Sequence, residues 1–437
     1  MDKLSFADLY ISHINIGLPI TLFTILFVFF IFRNQIYCLF DAMNFLILTG
    51  GAAYSVVIFL YYLGYISDYY FFSFISTQTA FFVGVLSNRR IALKKLYATQ
   101  KNPLPSYSGM ITVIYPLSVL LFLLSQSLVY YTNGIPLLMA SRLEIFSSGG
   151  GFGVVNRIIQ VTQLISITVA FYRLLFINGK VLYKIFDLLV VLFSLVVAIL
   201  SGSKAAILFL VFSISYVSIF SHRFNVSYKV FSRINRLSFF LLIIGFWGGL
   251  ITIIFQTGIV DISQALTVLA MRFINTGDIY YMSYPSNQLE YMQDGNFFLA
   301  LFKDFFGVFR IIEWNELPVN LGLQIFWSHY NTDLVTGPNP RHNVFGLFYL
   351  GPLLSVFYSF IVGYTLSYLR NRVLIKSSPN FMGLIFYVLL ASNTLYIEQD
   401  MTFALGQYIS VFIVYVPLYV FAKILLLASN KARVINV

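Results

Sequence analysis

The chain has 437 residues, 59% of them hydrophobic and 10% charged, with a mean hydropathy of +0.84 and a formal net charge of +11. A water-soluble domain carries about a quarter of its residues as charges, so this composition excludes an ordinary globular enzyme and calls for a membrane protein. The apolar runs are long and unbroken rather than short and alternating, which reads as helices and not as the strands of a β-barrel. The single cysteine, Cys38, closes no internal disulfide, and no His/Cys cluster offers a metal site.

In chain order, the hydrophobic runs predict helices over Ile16 to Phe32, Asn44 to Ile66, Tyr69 to Leu86, Met110 to Tyr131, Val154 to Ile177 and Ile185 to Leu200. Further helices are expected over Ala205 to Phe220, Leu237 to Phe255, Val344 to Tyr368, Phe381 to Tyr396 and Phe403 to Leu425. The expectation is an all-α polytopic membrane protein of about 11 transmembrane helices, forming one integral membrane domain over 1–437.

Orientation follows from the basic loops, because lysine and arginine resist translocation. The loop after the third helix holds Arg89, Arg90, Lys94, Lys95 and Lys101 and is assigned to the cytoplasmic side. Counting from it, 19 of the 27 basic residues fall inside, but only two of the 16 acids, Asp41 and Asp187. The net charge therefore describes orientation in a membrane, not nucleic-acid binding. Two outer loops stand out by length, at about 132–153 and 256–342, and loops of that size usually carry function.

The outer side holds few cations, so each is informative. In the first large loop Arg142 precedes the run Gly149-Gly150-Gly151-Phe152-Gly153, and Arg157 follows one turn into the next helix. A glycine-rich entry to a helix exposes unpaired N–H groups and, with two arginines, suits a diphosphate; the competing reading is a flexible hairpin. Ser201-Gly202-Ser203-Lys204 is a tight turn whose lysine can reach a phosphate, and Arg272 lies six residues before Asp278. The string Gly337-Pro-Asn-Pro-Arg341-His342-Asn343 fixes a turn, places Asn343 as a cap and sets Arg341 and His342 at a helix N-terminus on the outer surface. A histidine suits proton removal near neutral pH, and the adjacent arginine suits an anionic substrate. Trp314, Trp327 and Tyr281 belong to an aromatic-rich stretch that fits either a sugar groove or an interfacial belt. No zinc-protease, phosphate-loop or Asp-x-Asp motif is present, which disfavours nucleotide-sugar and metal-dependent chemistry.

On these residues the chain resembles the Wzy-type O-antigen polymerases, multi-pass proteins with two enlarged periplasmic loops. The resemblance rests on Gly134-x-Pro136 with Arg142, Ser201-Gly-Ser-Lys204, Arg272 with Gly277-Asp278, and Gly337 to Gly346. Arg142 to Gly153 also fits the spacing of an arginine, ten residues and a glycine found in some members; the second large loop departs from that spacing. The Arg-His-Asn string is similar to a segment of the O-antigen ligases. The resemblance implies inverting, metal-independent glycosyl transfer in the bacterial inner membrane with no cofactor. Donor and acceptor would be undecaprenyl-diphosphate-linked glycans, and the further partners membrane lipids and a chain-length regulator. It assigns Arg142, Arg157, Lys204 and Arg272 to the diphosphate, Trp314, Trp327 and Tyr281 to sugar, and His342 with Arg341 to catalysis. The rival readings are an O-antigen ligase and a lipid-linked oligosaccharide flippase.

Overall fold

The computed structural model describes residues 1–93, 95, 103–105, 107, 109–138, 152–177, 179–201, 204–224, 230–234, 236, 239, 243, 247, 250, 254, 261–292, 295–330 and 336–435. It is all-helical among these residues. The helices are α1 (Lys3–Ser12), α2 (Ile14–Phe32), α3 (Ala42–Tyr62), α4 (Asp68–Ser87), α5 (Ile111–Asn133), α6 (Phe152–Phe176), α7 (Val181–Leu200) and α8 (Lys204–Ser221). Five short helices follow in the long loop region: α9 (Ile262–Ile274), α10 (Asp278–Ser283), α11 (Phe297–Leu301), α12 (Lys303–Val308) and α13 (Leu321–His329). Apart from the single turns Val373–Lys376 and Thr394–Ile397, the remaining described helices are α14 (His342–Ser367), α15 (Phe381–Ser392) and α16 (Met401–Ile435).

Eight of the described helices are long and apolar enough to cross a membrane: α2 to α7, α14 with its continuation to Lys376, and α16. Two other expected spans are helices with shorter apolar stretches, Leu208–Ser221 and Phe381–Ile397. Most of the expected span from Leu237 to Phe255 lies outside the described residues, as does all of 139–151 in the first large loop. The exposed surfaces fit a multi-pass membrane protein: α2 turns Leu22, Phe23 and Phe30 outward, an apolar face that water would not tolerate.

The chain divides into two compact units. The first comprises Met1–Arg90, Phe231–Asn371 and Leu395–Phe403; the second comprises Ile91–Val230, Arg372–Thr394 and Ala404–Val437.

In the first unit α3 is the central helix, buried along most of its length. Its small residues permit this. A Cβ on Gly51 would lie 2.8 Å from the Ile25 backbone of α2, and one on Gly277 would lie 2.8 Å from the Ala53 carbonyl. Between α4 and α14 the glycines oppose each other: a Cβ on Gly84 would strike the Phe360 carbonyl, and one on Gly363 the Phe81 carbonyl. Lipid supplies no hydrophobic force between helices, so backbone approach of this kind and the dispersion it allows hold them together. α14 is broken at Gly351, which adopts φ 72° ahead of Pro352. The proline cannot continue the ladder, so a buried turn from His342 to Leu347 is set apart from the outward-facing Leu353 and Leu354.

In the second unit α6 packs against α5, α7, α8 and α15. Asp187 of α7 pairs with Arg173 of α6 at 3.1 Å and accepts the Tyr115 hydroxyl at 2.7 Å, while the Arg173 guanidinium lies 4.2 Å from the Tyr107 ring. Arg223 donates to the carbonyls of Leu374 and Ser377 at 2.7 and 2.6 Å, a cation capping a helix C-terminal end. Arg370 pairs with Asp41 in the first unit. Asp41 and Asp187, the two acids that the loop assignment leaves on the basic side, thus each hold an arginine assigned to that same side.

Candidate functional site

The string from Gly337 to Gly346 brings three consecutive polar residues, Arg341, His342 and Asn343, into the interior of the first unit. Gly322 and Gly337 let the two segments touch backbone to backbone, since a Cβ on Gly337 would meet the Gly322 chain at 2.8 Å or less. This contact presses the Pro338-Asn-Pro340 turn inward, and α14 begins at His342 with Arg341 at its cap position.

Arg341 is 2% exposed. Its Nε and Nη2 donate to the Thr276 carbonyl at 3.2 and 3.0 Å, and its Nη1 pairs with the Glu398 carboxylate. The Tyr54 hydroxyl of α3 donates to the same Glu398 oxygen at 2.9 Å. The Thr276 hydroxyl donates to the Thr49 carbonyl at 2.9 Å, tying this turn to α3. Asn343 does not cap α14. Its amide donates to Thr77 at 3.0 Å and to Gln78 at 3.2 Å on α4, and its oxygen accepts the Tyr280 hydroxyl at 2.7 Å. The cluster therefore joins α3, α4, α10, the Thr276 turn and the start of α14 around one ion pair.

His342 is also buried. Its Nδ1 meets the Ser359 hydroxyl at 2.9 Å, its ring stacks on Phe81 with centroids 4.5 Å apart, and its Nε2 has no partner among the described residues. The sequence predicts Arg341 and His342 at the surface; instead the neighbouring helices cover both, because Glu398 neutralises the arginine and makes its burial tolerable.

The other site residues divide between the units. Tyr281 belongs to the first unit and is fully buried, stacked on Phe6 of α1 with centroids 4.2 Å apart, so its ring face is taken. Trp314 and Trp327 are exposed, and Trp314 packs over Gly307. Arg272, in the last turn of α9, is partly buried and makes no ion pair with a described residue. Asp278 begins α10, and burial raises its carboxyl to about 6, against the opposing pull of Arg341 and Lys3. In the second unit Arg157 donates to the Gly406 carbonyl at 3.1 Å and the Ser410 hydroxyl at 2.7 Å, and Lys204 opens α8. Arg142 lies outside the described residues.

Sequence reasoning missed Glu398, Tyr54, Thr77 and Gln78. A signal for Glu398 was present: Glu398-Gln-Asp400 is a short acidic break between two apolar runs. An acid held in a membrane protein's interior is costly and marks a function or a partner. The described residues contain no group of three or more His, Cys, Asp or Glu side chains arranged to hold a metal ion. No protein-family model, curated protein or solved structure matches this chain.

Proposed function

We propose that this chain polymerises undecaprenyl-diphosphate-linked oligosaccharide repeat units into an O-antigen-type polysaccharide. The reaction is an inverting, metal-independent glycosyl transfer on the periplasmic face of the bacterial inner membrane. In this reading the chain crosses the membrane about eleven times, and the loops 132–153 and 256–342 are periplasmic. The terminal hydroxyl of one lipid-linked unit attacks the anomeric carbon of another, and the lipid diphosphate leaves. Arg142, Arg157, Lys204 and Arg272 stabilise the departing charge, as preorganised cations do wherever negative charge develops. Arg341 and His342 form the catalytic corner, and the exposed Trp314 and Trp327 form the sugar-facing wall. Membrane lipids and a chain-length regulator complete its surroundings.

The observation that carries this reading is the polar cluster around Arg341. The Gly337 to Gly346 string on which the family resemblance rests is also the place where a ring of helices organises its buried polar side chains. Buried, paired charge of this kind in a membrane protein accompanies substrate or ion handling.

The same buried ion pair favours one second reading, a flippase for the same lipid-linked oligosaccharide, because transporters also hold paired charge among their helices. A gel of surface polysaccharide from a strain lacking the gene separates the readings. Loss of a polymerase leaves single repeat units on the lipid core, loss of a flippase or ligase leaves none, and an unchanged ladder refutes all three.

A further inference from the structure

The Glu398-Gln-Asp400 break carries a second acid that the foregoing assignment leaves unused. Asp400 lines a narrow hollow in the first unit together with Asn320, Pro340, Phe345, Tyr349 and Thr402. The hollow is built from several directions. The Lys303 ammonium donates to the Pro318 carbonyl at 2.8 Å and approaches the Asn320 side-chain oxygen at 3.4 Å, which clamps the α11–α12 segment against the start of α13. The Phe345 and Tyr349 rings, with centroids 4.7 Å apart, form an aromatic wall. Behind it the buried Tyr358 hydroxyl, without a hydrogen-bond partner among the described residues, lies within the electrostatic reach of Asp400. The Arg341–Glu398 pair fixes Pro340 and Asp400 relative to each other, since each lies within two residues of one member of the pair.

The lining fits one edge of a pyranose. A sugar presents hydroxyls that a carboxylate and an amide recognise, and C–H faces that lie against aromatic rings. The hollow is too narrow for a whole ring and has room for a group about the size of one hydroxyl. Among the described titratable and charged groups, Asp304 and Tyr358 act on Asp400, Tyr349 shares its hollow, and Lys303 is held on the neighbouring Pro318 carbonyl. Burial lifts the Asp400 carboxyl to about 6, against the Phe403 and Thr402 N–H groups, so it is ionised at neutral pH yet close enough to neutrality to take a proton. His342, fully buried, already meets Ser359 and Phe81, whereas Asp400 is partly exposed at the hollow.

We infer that Asp400 is the catalytic residue that holds the acceptor sugar's hydroxyl and removes its proton. This rests on the glycosyl-transfer reading above. In the step, the acceptor oxygen forms a bond to the donor's anomeric carbon, and the bond from that carbon to the diphosphate oxygen breaks. The electron pair leaves with the lipid diphosphate, and the hydroxyl proton passes to the Asp400 carboxylate, which later returns it to water.

The test must separate this role from capping, because one Asp400 oxygen also accepts the Phe403 N–H at 2.9 Å at the start of α16. Asn and Ser cap a helix N-terminus as well as Asp does but take up no proton. Asp400→Asn and Asp400→Ser are therefore each returned to the deletion strain of the native host, with wild type as the reference. Membrane level, thermal midpoint in detergent and the polysaccharide ladder are read for each. The expected result is wild-type level and midpoint with polymer reduced by at least ~100-fold, leaving single repeat units. A full ladder from either variant, or failure of both to accumulate, overturns the inference and leaves Asp400 a structural cap. A deletion strain whose ladder is already normal refutes the glycosyl-transfer reading itself, a result distinct from either.

Discussion

Arg341 and Glu398, 57 residues apart in sequence, form an ion pair from which both side chains are almost wholly excluded from solvent. Every polar connection in the first unit's central cluster leads back to it: Tyr54 through Glu398, Thr276 through the guanidinium, and Asn343 through the helix turn that Arg341 begins.

Breaking that pair from one side strands a buried charge, which costs about 3–5 kcal/mol. Arg341→Ala and Glu398→Gln are each expected to lower the thermal midpoint of the detergent-solubilised protein. The double variant Arg341→Met with Glu398→Leu removes both charges and should melt closer to wild type than either single variant. If the three melt alike, the pair contributes nothing to the fold.

Asp278 offers a pH test with a defined sign. Its carboxyl is held at about 6 in the fold against 3.8 in the unfolded chain, mainly by burial. The folded state therefore binds the proton more tightly, and this group's contribution to stability is present at low pH and is lost as pH rises from about 4 to about 6. Asp278→Asn should flatten that loss and stabilise the protein at pH 7 by on the order of 1 kcal/mol, after allowance for partial exposure. Denaturation midpoints compared at pH 4 and pH 7 decide it; an equal pH response in both proteins would count against the burial argument.

The glycine contact between α4 and α14 leaves no room for a side chain. Gly363→Ala is expected to cost about 1–3 kcal/mol, because the atom it meets is backbone and cannot swing aside. Gly153, whose added Cβ meets nothing among the described residues, is the control, and Gly153→Ala should melt within ~0.5 kcal/mol of wild type. A midpoint unchanged in both would mean that the two helices pack more loosely than described.

Sidedness can be read by labelling. In a Cys38→Ser background, Glu313→Cys and Arg89→Cys each place one thiol at an exposed position, on loops that the charge bias assigns to opposite faces. A membrane-impermeant maleimide should react with the Glu313→Cys protein in intact spheroplasts and with the Arg89→Cys protein only after lysis. Labelling in the reverse order would invert the orientation and move the long loop to the cytosol.

The membrane-crossing helices were largely legible in the sequence because an apolar run of about 20 residues has few other places to go. Their boundaries mostly fell within a few residues; α3, for example, runs Ala42–Tyr62 where Asn44 to Ile66 is read. The short helix α1 was not legible, since a charged, weakly apolar segment has no periodic signature of its own and gains its place by stacking Phe6 on Tyr281. The string around Arg341 stood out as a cluster of turn formers and chemistry-bearing side chains, but its environment did not.

Composition and charge placement alone thus determined the helical class, the membrane setting and the same-side grouping of Asp41 with Arg370 and Asp187 with Arg173, because solvation in lipid acts on each segment independently. Only the tertiary structure decided that Arg341 is sheltered rather than offered to solvent, that Tyr281 is covered, and that Asp400 edges a hollow. Each of those outcomes depends on a partner distant in sequence, Glu398, Phe6 or Tyr349, and a contact of that kind leaves no trace in local hydropathy or spacing.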